Sequence, residues 1–104
     1  MSTLPNKYDS LESLIFEEGL RIQAITFHQD LDLMLVVLNT KAVLRQKLSS
    51  FPQLKNASGE MLLKYELIAG GTGVHWPLLD EDLSLKGFLR EELRTVVNKN
   101  IQAA

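Results

Sequence analysis

His75 stands five residues ahead of Asp80, with Glu81 and Asp82 following, in the densest polar cluster of the chain. An imidazole beside carboxylates can hold a hard cation or run acid–base chemistry, and His75 with Asp80 is the pair to consider. The structural alternative is plainer. Asp80 to Asp82 stand just ahead of the last helical pattern, where carboxylates cap free N–H groups and complement the helix dipole at ~0.3–1 kcal/mol each. A calcium cage also wants about six oxygen ligands in a glycine-bearing loop, and this spacing supplies no such register. The polar residues therefore assign no catalytic, cofactor or metal-binding group.

The other chemical candidates are weaker. Gly70-Gly71-Thr72-Gly73 invites a phosphate-loop reading, but a cradle needs a helix starting at once, often after Lys and Ser or Thr. The strand-like Val74-His75-Trp76 follows instead, so the glycines fit a bulge or a tight hairpin. His28 reads as a solvated turn residue near Asp30. Ser49 and Ser50 have no base within sequence reach, and a serine triad is rejected. The chain has no cysteine, which removes disulfides, thiolate metal sites and cysteine nucleophiles, and agrees with an intracellular, cytoplasmic setting.

These residues must be placed by one domain. The chain has 104 residues, 45% of them hydrophobic and 23% charged, enough for one core and too few for two. Eleven Lys and Arg stand against 13 Asp and Glu, for a net charge of −2, and the bases are scattered singly. That distribution argues against a nucleic-acid partner, which needs clustered positive charge. The longest apolar run, Leu33 to Leu38, falls far short of the ~20 residues of a membrane span.

Along the chain, residues 1–7 read as a loose tail. Asp9 or Ser10 begins a short helix with Leu11, Leu14 and Ile15 at helical spacing, and Gly19 stops it. From Leu20 the period becomes two. Leu20 to Phe27 is one strand, and His28-Gln29-Asp30 its turn. Leu31 to Leu38 is apolar on both faces, as a central strand covered on both sides would be. Asn39-Thr40 links it to a third strand, Lys41 to Leu48, with some distortion because Thr suits the turn poorly. Pro52 opens a short helix carrying Leu54, and Ser58 caps another from Gly59 to Lys64. Tyr65 to Ile68 is strand-like, and Pro77 to Asp82 is an acidic turn. Ser84 or Asp82 caps the final helix, in which Leu85, Phe88, Leu89, Leu93, Val96 and Val97 share a face.

The expected fold is α+β: an antiparallel β-meander of three to four strands, short helices on one face, and a C-terminal helix. The organisation is an N-terminal tail and helix over 1–19, a core over 20–89, and a helical extension over 90–104. Trp76, beside Pro77, is either a core anchor or an exposed partner contact, and a single tryptophan in a small domain favours the core. Leu93, Val96 and Val97 carry the apolar stripe on into the last turns of the final helix. They stay exposed unless another subunit buries them, which points to a homodimer.

Three stretches stand in a recognisable order. They are Ser49-Ser50-Phe51-Pro52-Gln53-Leu54-Lys55-Asn56-Ala57-Ser58, then Tyr65-Glu66-Leu67, then Gly73-Val74-His75-Trp76-Pro77-Leu78-Leu79-Asp80-Glu81-Asp82-Leu83-Ser84. Together they resemble the bacterial domain-of-unknown-function 2442 family over roughly Leu20 to Leu89. The resemblance implies a β-meander and makes Phe51, Pro52, His75, Trp76, Pro77, Asp80, Glu81 and Asp82 the motif residues. Thr40 departs from the glycine usual in the family's hairpin turn, and the helix here runs on to about Lys99. Some relatives are encoded beside small toxin-like proteins, which implies an antitoxin or partner role. Others carry a helix-turn-helix segment, not recognisable here, which would suit an accessory domain of a transcription regulator. The family brings no catalytic residues to carry over. The expectation is a non-enzymatic protein-interaction module with a protein partner, and the alternative is a small-molecule or metal binder, or minor enzyme, using His75 and Asp80.

Overall fold

The computed structural model describes residues 8–103, with side chains through Asn98, so the tail expected at 1–7 lies outside the described residues. Helix α1 (Ser10–Phe16) begins at a capping box. The Asp9 carboxylate accepts from the Glu12 N–H at 2.8 Å, and the Glu12 carboxylate accepts from the Asp9 N–H at 3.0 Å. Gly19, at φ 81°, lets the chain turn out of the helix. Ile15 enters the core, and Lys86 on the last helix bridges Asp9 at 2.9 Å and Glu12 at 3.1 Å.

The first sheet joins β1 (Ile22–His28), β2 (Leu33–Leu38) and β3 (Val43–Lys47) as an antiparallel meander in that order. A bulge at Gln23, between the Ile22↔Leu38 and Ala24↔Val37 pairs, turns both Ile22 and Ile25 inward although they are three apart. Met34, Val36, Leu38 and Leu44 complete this inner face. Gln46 shares it, donating through Nε2 to the Phe88 carbonyl at 3.1 Å.

Two expectations about this sheet need correction. The strand does not begin at Leu31. Gln29–Leu31 form a 3-10 turn, and Asp32 is left-handed at φ 54°, because its carboxylate reaches over to accept from both the N–H and the hydroxyl of Ser49. Strand β2 is central, but it is covered on one side only. Leu33, Leu35 and Val37 are half-buried on an outer face shared with Thr26, His28, Arg45 and Lys47.

The β2–β3 turn is distorted, though the strained residue is not Thr40. The Lys41 N–H donates to Leu38 O and the Leu38 N–H to Ala42 O, both at 2.9 Å, and Lys41 takes φ 76°. This is a tight turn followed by a left-handed residue, where glycine is favoured. Asn39 has a different task. Its side chain accepts from the Arg21 N–H and donates to Gly19 O, each at 3.0 Å, pinning the turn to the chain entering β1.

Helices α2 (Pro52–Lys55) and α3 (Gly59–Leu63) follow as expected, with Pro52 in the first turn and Ser58 Oγ accepting from the Met61 N–H at 3.2 Å. A second antiparallel meander comes next: β4 (Glu66–Ile68), β5 (Gly73–Trp76) and β6 (Glu81–Ser84). The α+β class and the meander stand, but there are six strands in two sheets instead of three or four. The plainest difference is at Glu81–Ser84, expected as the end of the Pro77 to Asp82 turn and the cap of the last helix, which pairs with β5 as Gly73↔Ser84, Val74↔Leu83, His75↔Asp82 and Trp76↔Glu81. Helix α4 (Leu85–Ala103) runs unbroken past residue 89.

The core lies between the inner faces of the sheets, closed by Ile15, Leu54, Leu62, Leu85 and Phe88 from the four helices. Gly71 brings the second hairpin against β1: at φ 96°, a Cβ there would lie 3.1 Å from the Ile22 carbonyl oxygen. No helix among the described residues is long and apolar enough to cross a membrane.

Relieving the left-handed side chain by Lys41→Gly is expected to raise stability by about 0.5–1 kcal/mol, measured by urea unfolding. A second expectation concerns pH. The Ser49 hydroxyl holds the Asp32 carboxyl below its ordinary value of 3.8. Hydrogen bonding from Lys86 does the same for Asp9, and the Asp9 N–H, then Lys86, for Glu12. Depressed carboxylates stabilise the fold above their unfolded pKa and lose that effect as pH falls through the folded value, so the unfolding midpoint should drop below about pH 4. Asp9 and Glu12 in turn hold the Lys86 ammonium above 10.5, so its contribution is present below that pH and is lost as pH rises through the folded value. A thermal melt series in Asp32→Asn should show a shallower acid limb.

Candidate functional site

The second and third motif stretches form the strands of the second sheet, though not in the arrangement their spacing suggests. His75 and Asp82 face each other across β5 and β6, with Nδ1 and Oδ1 2.5 Å apart. Glu66 of β4 stands opposite His75 on the other side, so an acid, an imidazole and an acid line up across the outer face. The His75–Asp80 pair of the alternative reading is not brought together. Asp80 is exposed in the turn before β6 at φ 49°, while the strand pairing selects the residue two further on.

The capping role expected for the acids is also corrected. Glu81 and Asp82 are strand residues, and Glu81 Oε1 accepts from the Asp82 N–H at 3.0 Å. Only Ser84 serves the helix start, its Oγ accepting from the Gly87 N–H at 3.0 Å. Asp82 remains 71% exposed at its side chain, so its bond to His75 is a surface contact. Among the described residues no group of three His, Asp or Glu side chains is placed to hold a metal ion.

The remaining motif residues divide between core and surface. Trp76 is fully buried, which removes it as a partner contact. Its Nε1–H donates to Leu62 O at 3.1 Å, and its ring lies 6.4 Å from Phe27 and 6.5 Å from Tyr65. The Tyr65 hydroxyl in turn accepts from the Ile25 N–H at 3.1 Å. Pro52 and Pro77 are exposed and shape turns. Phe51 is half-buried with its ring edge-on to Phe88, 6.2 Å between centroids.

Phe51 and Phe88 belong to an open groove of about 530 Å³. Ile68, Thr72 and Gly73 form one wall, Asp82, Leu83 and Ser84 another, and Gly87, Phe88 and Glu91 of α4 the third. A Cβ on Gly73 would stand 3.2 Å from Ile68 Cγ1, so this glycine lets Ile68 reach across the sheet toward the groove. Sequence reasoning found Phe51 and Asp82 but missed Ile68, Gly87, Phe88 and Glu91 as a lining set. Gly87 carried a signal, because a glycine inside a helical pattern asks for a reason. The apolar stripe at Leu93, Val96 and Val97 lies farther along α4 with the three side chains 53%, 44% and 53% exposed.

The placement of Trp76 predicts that Trp76→Ala costs about 3–5 kcal/mol in urea unfolding followed by circular dichroism. Emission from the indole, the sole one in the chain, should be blue in the folded protein and move to the red on unfolding.

Two solved structures share this architecture, and both are of proteins without a described function. The solution structure of an uncharacterized protein from Chromobacterium violaceum is similar at a TM-score of 0.63 and 22% identity, covering 86% of this chain and 85% of that one. A crystal structure of a protein of unknown function from Rhodospirillum rubrum is similar at a TM-score of 0.61 and 26% identity, covering 70% of this chain and 88% of that one. No curated protein matches the chain. The profile described as protein of unknown function (DUF2442) matches residues 22–94, from the start of β1 into α4, and the chain belongs to that family.

Proposed function

We propose that this protein is a non-enzymatic interaction module of the cytoplasm that pairs with a second copy of itself and engages another protein. The observation that carries the reading is the α4 stripe. Leu93, Val96 and Val97 recur at i, i+3 and i+4 and are left about half exposed by a fold that buries Leu85 and Phe88 of the same helix. Apolar side chains at that spacing are what helix-to-helix association uses.

The polar groups support the same reading. The two imidazoles lie on different sheets, His28 beside Thr26 and His75 beside Asp82. Ser49 is engaged by Asp32, and Ser84 by Gly87. A nucleophile–base–orienter relay needs such groups to converge. A finer form of the proposal makes the outside partner a small toxin-like protein. It rests on the family resemblance, and the site itself adds nothing to it.

The mass in solution, measured by light scattering across a hundredfold range of concentration, tests the self-association. A dimer is expected, with Leu93→Lys/Val97→Lys returning the monomer while unfolding at the same urea concentration. Monomer at every concentration in the unaltered chain would sink the pairing.

A further inference from the structure

We infer that the groove between β6 and α4 is a docking cleft for an extended segment of a partner protein that presents an arginine. This deepens the interaction reading and rests on it, because it names the chemistry of the partner's contacting segment.

The charge of the lining selects the occupant. Phe51, Ile68 and Leu83 supply the apolar surface over the buried Phe88, and the charged lining groups are two carboxylates, Asp82 and Glu91. Asp82 meets His75 through one oxygen, which leaves the other for a second partner. Glu91 has its Oε2 3.9 Å from Arg94, at the outer limit of an ion pair. Apolar walls under an acidic rim match a side chain with an aliphatic stem and a cationic head. Guanidinium fits better than ammonium, since it bonds carboxylates in a fork and its flat face stacks on phenyl rings such as Phe51.

Gly87 is the second observation. Glycine is a poor helix residue, and this one lies in the third position of α4. A Cβ there would stand 3.2 Å from Ser84 Oγ, the hydroxyl that accepts from the Gly87 N–H, so the glycine gives the helix start room. The missing side chain also leaves the groove wall low at Gly87, where a ligand can approach the helix backbone. Because β6 is an edge strand of its sheet, a segment in extended conformation can lie alongside it with its arginine in the groove, taking the Asp82 N–H from the Glu81 carboxylate.

The test is a titration of the isotope-labelled full chain with a capped Val-Arg-Val-Arg-Val peptide, read by amide chemical shifts. The expected result is saturable shifts concentrated at Gly73, Leu83, Ser84 and Gly87, with about tenfold weaker binding in Asp82→Asn/Glu91→Gln. Glu91→Gln alone, which disturbs only the groove rim and the long Arg94 contact, should weaken it about threefold and covers the case in which the double variant does not fold. Equal shifts with the Val-Glu-Val-Glu-Val peptide, tighter binding of spermidine than of the arginine peptide, scattered unsaturable shifts, or an unchanged Kd in Glu91→Gln would each overturn it. The stripe substitutions in α4 leave the groove lining intact. Retained peptide binding in a monomeric stripe variant therefore separates failure of the pairing from failure of the cleft.

Discussion

The indole of Trp76 is where the two halves of this fold become one. Each three-stranded meander has one apolar face, and a small sheet of that kind needs something to pack against before it is stable in water. Trp76 projects from the second sheet to within aromatic contact of Phe27 on the first, while its N–H reaches the carbonyl at Leu62 of α3. The bond matters because an unpartnered indole N–H at that depth would carry a desolvation cost of about 1–3 kcal/mol. Tyr65 reinforces the junction by lying edge-on to Phe27 and tilted against Trp76, and by accepting from an N–H on the edge of β1. The other apolar residues of the core are arranged around this joint.

Much of the architecture could be read from residue order, and the failures have physical causes. Asp9, Pro52 and Ser58 announced their helices because capping is local chemistry, settled within three or four residues. The second sheet was half missed because Glu81-Asp82-Leu83-Ser84 has no β propensity of its own. It becomes a strand because Trp76 and Val74 fix β5 in the core and the chain returns beside it. The bulge at Gln23 was illegible for a similar reason: only packing against Leu38 and Val36 shows that Ile22 and Ile25 must both face inward.

The candidate site shows the same division. Its most conspicuous residues, His75 and the acids after it, attracted attention by proximity along the chain. Strand register decides which of them meet, and it chose Asp82. The groove was less visible because its walls come from four separate elements and its distinguishing feature is an absent side chain at Gly87. Composition and spacing record what residues carry. They do not record where a fold leaves room.

The ionic contact from Lys86 to Asp9 and Glu12 joins α1 to the start of α4, two elements far apart along the chain. Until Lys86 has emerged from the ribosome, α1 has neither its charged anchor nor the neighbouring apolar surface of α4 to lie against. The contact therefore forms late in synthesis, and a product cut short before that lysine holds α1 by the core contacts of Ile15 alone.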